Sequence, residues 1–82
     1  MATHDFNDGN GPVPARKHRN GGGWVADTAT VDKTAYVGPN AKVYGNARVS
    51  GDAKVFDNAK VYGDARVSGD AKVFDNAKVY GD

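Results

Sequence analysis

Few residues in this 82-residue chain have side chains suited to catalysis or metal binding. The sequence contains no cysteine, which excludes disulfides, thiolate zinc sites and a cysteine nucleophile. Its only histidines, His4 and His18, lie near the N-terminus. Residues 5–11 (DFNDGNG) resemble the start of a calcium loop, but Gly9 occupies the third EF-hand ligand position and no glutamate follows. The sequence therefore predicts no catalytic residue, no metal site and no cofactor.

The remaining N-terminal residues carry weak signals for ligand binding. Gly21 to Gly23 form a glycine run, but no Lys-Ser/Thr pair follows it, so a phosphate loop is not predicted. The basic run 16–19 (RKHR) is typical of a solvated segment. We interpret residues 1–23 as an irregular N-terminal arm that ends in a glycine hinge and caps the domain formed by residues 24–82.

The charge and hydropathy of the chain narrow the classes of partner. Eleven Lys and Arg against ten Asp and Glu leave a formal charge of +1, so no global field would attract nucleic acid or an acidic membrane. No apolar run of about 18 residues and no basic-then-apolar leader is present. We expect a cytoplasmic protein that binds neither nucleic acid nor membrane.

An exact repeat dominates the rest of the chain. Residues 49–64 (VSGDAKVFDNAKVYGD) recur unchanged at 67–82, an offset of 18 in the numbering. Every sixth residue from position 25 onward is valine, at 25, 31, 37, 43, 49, 55, 61, 67, 73 and 79. Valines at this spacing do not follow a helical stripe, whereas β-branched residues flanked by Gly-Asp and Asp-Asn pairs favour short strands between tight turns. Three six-residue units then form one turn of a solenoid.

The alternation of side chains along a strand assigns each unit an inner and an outer side. In residues 41–46 (AKVYGN), Ala41 and Val43 point to one side while Lys42 and Tyr44 point to the other. We predict that the valines and alanines are inside. The Gly-Asn, Gly-Asp and Asp-Asn pairs that follow tolerate the positive φ of a sharp corner.

The pattern V-x-[GD]-[ND]-A-x over residues 25–82 resembles the hexapeptide repeat of left-handed parallel β-helices. The resemblance implies an all-β, three-sided, left-handed parallel β-helix with an 18-residue coil; the spacing itself indicates only three strands per turn. Units such as VYGNAR are also similar to those of small phage and prophage proteins. Acyltransferases and zinc carbonic anhydrases of this family use histidines near subunit boundaries. Because the coils here contain none, we predict that the protein is not an enzyme.

An 18-residue pitch stacks outward side chains in columns with a spacing of about 4.8 Å. We call the three sides face one, which carries the Lys/Tyr columns, face two, which carries the Arg/Ser columns, and face three, which carries the Lys/Phe columns. Such residues are often simply strand formers and solubilising charges. Exposed phenylalanines, however, often mark a contact surface. The candidate partner surface comprises Tyr44, Tyr62, Phe56, Phe74, Lys42, Lys60, Arg48 and Arg66.

The two ends of a solenoid need cover because their strand edges would otherwise be open. We predict that Phe6, Val13 and Trp24 pack over or beside the N-terminal coil. At the other end, the predicted oligomer interface comprises Val67, Val73, Phe74, Val79 and Tyr80. A homodimer joined end to end is favoured, with a lateral trimer through the aromatic faces as the competing arrangement.

These observations predict a non-enzymatic, self-assembling scaffold that binds and occludes a protein partner. If the chain is encoded by a phage, that partner would be a virion component or a host defence complex, in the host cytoplasm. One alternative is a reduced acyltransferase-like enzyme with a site built between subunits. Another is an engineered or shortened solenoid without a selected function.

Overall fold

Short β-strands form all the regular structure in the computed structural model, which describes residues 3–6, 9 and 11–81. None of the described segments forms a helix with the length and apolarity needed to cross a bilayer. The strands are β1 (Thr3–Asp5), β2 (Pro12–Lys17), β3 (Trp24–Ala26), β4 (Thr30–Val31), β5 (Tyr36–Val37), β6 (Lys42–Val43), β7 (Arg48–Val49), β8 (Lys54–Val55), β9 (Lys60–Val61), β10 (Arg66–Val67), β11 (Lys72–Val73) and β12 (Lys78–Val79).

Three parallel sheets build the solenoid. Face one has the order β3-β6-β9-β12, face two β4-β7-β10, and face three β5-β8-β11. Each strand pairs with the strand one turn later, so that Val25 lies opposite Val43 and Val43 opposite Val61, the same offset that separates the two copies of the exact repeat. This register confirms the predicted all-β parallel solenoid and its 18-residue turn.

The core consists of the inward valines and alanines. Val25, Val37, Val43, Val55 and Val61 are fully buried, and the alanines of the same turns pack against them. Backbone bonds between turns run alongside this core; Tyr44 N–H, for example, donates to Val61 O at 2.9 Å. Each inward side chain lies above its equivalent in the next turn. Small apolar residues, valine and alanine, therefore fill the interior.

The corners use residues that tolerate a left-handed backbone. Gly45 has φ of 69°, and a Cβ there would lie 2.9 Å from Gly63 N in the next turn. On the corner after face three, Asp57 and Asp75 adopt φ of 58° instead. Asp75 N–H donates to Asp57 Oδ2 at 3.2 Å, so the aspartate side chain also links consecutive turns.

The prediction of an irregular arm is wrong for the described part of residues 1–23. Strands β1 and β2 form an antiparallel hairpin in which His4 lies opposite Val13. Strand β2 continues into the solenoid by pairing antiparallel with β3, Lys17 opposite Trp24. Pro12 and Pro14 obscured this strand in the sequence, because proline is depleted in strands unless the strand has a free edge. Here Pro14 contributes its carbonyl, which accepts the Asp27 N–H at 2.9 Å.

The glycine run is a capping loop rather than the predicted hinge. His18 Nε2 donates to Ala35 O at 2.8 Å, Val37 N–H donates to Asn20 O at 3.0 Å, and Gly23 N–H donates to Val37 O at 2.9 Å. The loop thus bonds to the first strand of face three as a preceding turn would. Gly21 has φ of 114°, and a Cβ there would overlap the Val37 carbonyl, which explains why this position is glycine.

Aspartate in place of an inward valine should unfold the domain. Val55→Asp or Val61→Asp removes about 1.5–3 kcal/mol of burial and adds a desolvated charge without a partner. Ser50→Asp on the outer side should cost less than about 1 kcal/mol. Thermal unfolding followed by circular dichroism distinguishes the two classes, and equal melting of all three variants would contradict the assignment of inner and outer sides.

Candidate functional site

An aromatic column runs along the outer side of face one. The rings of Tyr44 and Tyr62 lie 5.2 Å apart with an interplanar angle of 7°, and those of Tyr62 and Tyr80 lie 5.3 Å apart at 17°. The parallel register produces this stacking, because identical residues one turn apart occupy equivalent positions. Each stacked pair contributes about 0.5–1.5 kcal/mol beyond burial. Lys42 and Lys60 form the neighbouring column and are directly paired across the strands.

Phe6 completes this column at its N-terminal end. Ala26 occupies the first-turn position where later turns have tyrosine, and the Phe6 ring stacks 4.8 Å above Tyr44 at an angle of 19°. Phe6 is 1% exposed and belongs to a cluster with Ala15, Ala26 and Tyr44, against which Val13, Trp24 and Tyr62 pack. The structure thus brings Phe6, Val13 and Trp24 together beside the first turn. The cluster covers the N-terminal part of the outer side of face one.

Tyr44 is not part of an exposed surface, contrary to the prediction. It is 6% exposed, because Phe6 covers one side of its ring and Tyr62 the other. The open part of the column therefore begins at Tyr62, which is half-buried, and ends at Tyr80, which is 68% exposed. The signal for this cover in the sequence was alanine at position 26, where the repeat otherwise has tyrosine.

His4 also contacts this cluster, which the sequence did not predict. Its ring stacks on Trp24 with centroids 4.6 Å apart and meets the edge of Phe6 at 4.7 Å. Nε2 is buried and has no hydrogen-bond partner among the residues that the structure describes. Burial lowers the pKa of His4 below its ordinary value, the charge of Lys42 lowers this pKa further, and Asp5 opposes the shift.

The basic run of β2 and the following loop contacts the first turns of the solenoid. Arg16 pairs with Asp27 at 3.3 Å on the surface, and Lys17 Nζ lies 5.7 Å from the centre of the Trp24 ring. Exposed contacts of these kinds contribute about 1 kcal/mol or less each. Arg16, Lys17 and Arg19 remain exposed, as expected of a solvated run, whereas His18 is buried and bonded to Ala35.

Face three carries a second aromatic column. Phe56 and Phe74 stack with their centres 5.3 Å apart at 10°, and Phe74 is 46% exposed. Above them lies a shallow groove of about 870 Å³. It is lined by Asn20, Thr34, Tyr36, Pro39, Asn40, Asp52, Lys54, Phe56 and Asp57. The lining combines apolar and aromatic side chains with charges of both signs, which suits a protein surface better than a single charged ligand.

Face two presents arginine instead of aromatic residues. Arg48 and Arg66 are directly paired across β7 and β10, and both are exposed. In the described part of the chain neither guanidinium lies within ion-pairing distance of a carboxylate. They are available to contacts from outside. No group of three or more His, Cys, Asp or Glu in residues 3–6, 9 and 11–81 is arranged to hold a metal ion.

The predicted C-terminal interface divides into an inner and an outer set. Val67 and Val73 are buried and Val79 is partly buried, all within the core. Phe74 and Tyr80 are the exposed large hydrophobic residues of the described chain. Both belong to the last turn, at the ends of the two aromatic columns.

Comparison with known families agrees with this geometry. The family model described as YdcK beta solenoid repeat matches residues 41–55 and 59–73. The chain is a β-solenoid repeat protein. The two matched segments of the solenoid begin one turn apart, at Ala41 and Ala59, so the match follows the same 18-residue period as the strand register. No curated protein and no solved structure matches the chain. The likeness to phage proteins stays a prediction.

Truncation of Phe6 should destabilise the solenoid more than truncation of Phe74. Both rings stack on one aromatic neighbour at about the same distance, but Phe6 is 1% exposed and Phe74 46%. Phe6→Ala should cost about 3 kcal/mol, because a cavity remains beside Tyr44, whereas Phe74→Ala should cost about 1 kcal/mol or less. Urea unfolding measures both, and equal losses would show that Phe6 contributes only through stacking.

Deletion of residues 1–20 should promote aggregation. It removes the strand that pairs with β3, the acceptor of the Val37 N–H, and the Phe6 ring that covers Tyr44. Strand edges and an aromatic surface would then be exposed together. Sedimentation of the truncated chain checks this; a soluble product with unchanged oligomeric state would mean that the hairpin instead serves partner contact.

Proposed function

We propose that this solenoid is a non-enzymatic scaffold that self-associates through its last turn and uses its outer columns to bind and occlude a protein partner. The observation that carries the proposal is the position of Phe74 and Tyr80. These exposed aromatic residues directly follow β11 and β12, the strands of the last described turn on face three and face one, and each is the last ring of its column. A surface of this kind favours protein association.

The backbone of the last turn supports association at the same place. One turn earlier, Lys54 N–H donates to Ala71 O and Phe56 N–H donates to Val73 O, both at 2.9 Å. The equivalent donors of Lys72 and Phe74 have no following turn among the described residues, and β10, β11 and β12 are each the last strand of their sheets. Ala71 and Ala77, which are core positions elsewhere, are exposed. A second chain paired on these edges would satisfy the donors and cover the alanines.

The other end of the solenoid favours a two-fold arrangement. Strand β2 covers the edge of β3, and the 18–23 loop is bonded to β5. Head-to-tail stacking would have to displace both elements. A dimer joined through two C-terminal turns leaves them in place and closes the assembly instead of extending it into a fibre.

The outer columns suit a partner larger than a small ligand. Tyr62 on face one and Phe56 and Phe74 on face three provide apolar contacts, and Lys60 on face one and Arg66 on face two provide charge. A protein bound along these columns would have the contacting part of its own surface covered. Occlusion of that surface is the mechanism we propose. Both histidines are engaged in the cap, His18 by a backbone bond and His4 by stacking, which favours a binding role over acid–base catalysis. The likeness to small phage proteins suggests a virion component or host defence complex as the partner.

The association proposal predicts a dimer in solution. Light scattering should give twice the chain mass of 8.6 kDa, and a polar capping segment appended after residue 82 should reduce this to one chain. Tyr80→Lys should weaken the dimer through charge repulsion, whereas Arg48→Lys, which keeps the charge and lies away from the last turn, should leave it unchanged.

A capped variant that keeps the dimeric or a trimeric mass would contradict end-to-end association. Phe56→Lys then tests the lateral arrangement, because Phe56 lies on face three away from the last turn. Partner binding is tested separately by comparing proteins captured from a host lysate by the parent chain with those captured by Tyr62→Lys and Phe56→Lys. Capture that neither substitution reduces would contradict a role for the columns.

A further inference from the structure

The N-terminal hairpin covers the first ring of the face-one column that we propose as a partner surface. Phe6 stacks on Tyr44, and the two residues are 1% and 6% exposed. Strand β1 pairs with β2 alone and is the outermost strand of its sheet. His4 and Phe6 of this segment contact aromatic rings of the solenoid, His4 on Trp24 and Phe6 on Tyr44, and these contacts help to hold β1 on face one.

The environment of His4 favours the neutral imidazole over the imidazolium. Nε2 is buried and has no hydrogen-bond partner in the described part of the chain. A neutral imidazole can leave one nitrogen unprotonated, whereas an imidazolium carries N–H donors on both. A buried donor without an acceptor destabilises the packed state. Attraction between the imidazolium and the Trp24 ring, stacked at 4.6 Å, would offset only part of this loss.

We propose that protonation of His4 releases strand β1 from face one and uncovers Tyr44, which lengthens the aromatic column open to a partner. The cover is thus a pH-sensitive element that regulates the surface of the proposed function. The part of the inference that concerns the strand itself does not depend on whether a partner binds.

On balance, the charged groups around His4 disfavour its imidazolium form, as burial does. Lys42 on β6 disfavours the imidazolium, and Asp5 on β1 favours it. Lys17 on β2 adds a further positive charge near Trp24, with its Nζ 5.7 Å from the ring centre. Burial is the largest cause, so the pKa of His4 in the packed state lies below its ordinary value of 6.5.

The sign of the pH dependence follows from this lowered pKa. Well above pH 6.5 both the packed and the released histidine are neutral, and the cover has its full stability. As the pH falls below 6.5, the released form binds the proton first, and the population with β1 released rises. The rise ends below the packed-state pKa, where both forms are protonated. Acid therefore opens the cover.

Hydrogen exchange of the full chain tests the release of β1. We expect amide protection at residues 3–5, corrected for the intrinsic pH dependence of exchange, to fall as the pH drops below 6.5 and to level off below the packed-state pKa of His4. Protection of β6 and β9 in the solenoid should not change over this range. Trp24, the single tryptophan, should show a red-shifted emission as the His4 ring leaves it. Fluorotyrosine labelling should show the Tyr44 ring, but not Tyr80, becoming accessible to solvent.

His4→Phe is the matched variant, because it keeps an aromatic ring on Trp24 and removes the titration. Its β1 protection should be independent of pH between about 5 and 8, while His18 remains as an internal control for the other histidine. A pH dependence that persists in this variant would overturn the proposal. If the variant does not fold, NMR titration of His4 in the parent chain decides: a ring that titrates without loss of β1 protection also overturns it. Light scattering and capture experiments can fail independently of these results.

Discussion

The in-register parallel ladder is the constraint on which the rest of this structure depends. Because every residue lies opposite its equivalent one turn later, as Val43 lies opposite Val61, each choice of side chain is repeated in space as well as in sequence. Inward positions must be small enough to stack on themselves, which valine and alanine are. Outward positions stack whether or not this is favourable, so tyrosine lies on tyrosine at 5.2 Å and arginine beside arginine. The corners obey the same rule, with Gly45 so close to Gly63 that no side chain fits between them.

A solenoid of this kind contacts only the turns before and after each turn, so its ends differ physically from its middle. The N-terminal end is completed by residues that take the place of a preceding turn: β2 pairs with β3, and the 18–23 loop bonds with the backbone N–H and C=O of Val37. On the outer side, the Phe6 ring stacks on Tyr44 where a tyrosine at position 26 would lie, because that position is alanine. At the C-terminal turn the described residues include no such substitute, which is why Phe74 and Tyr80 are the most exposed members of their columns.

The periodic part of this fold could be predicted from the sequence because one rule, repeated, determines it. The valine spacing indicated the strands, their register and the inward side of each unit. The hairpin could not be predicted in this way, because residues 3–17 do not repeat and Pro12 and Pro14 reduce their strand propensity. Its position depends on a partner far along the chain, since Phe6 contacts Tyr44 and His18 contacts Ala35. No sequence pattern predicts those contacts. The single clue is Ala26, which stands at the position where the later turns of face one have tyrosine. Because the contact of Phe6 with Tyr44 was not predicted, Tyr44 was assigned to the exposed surface.

The aromatic column connects the two ends of face one in a single stack. Rings of Phe6, Tyr44, Tyr62 and Tyr80 follow one another at spacings of 4.8 to 5.3 Å, so the covered and the open parts of the surface are chemically one feature. What divides them is strand β1 with the Phe6 that follows it: β1 pairs with β2, and Phe6 contacts face one in a cluster separate from the main core. Phe6 and Tyr44 belong to a cluster that is separate from the main core of inward valines. The cover can therefore separate from face one while the ladder remains intact, which places regulation in the peripheral cluster and leaves the stability of the solenoid to its valines.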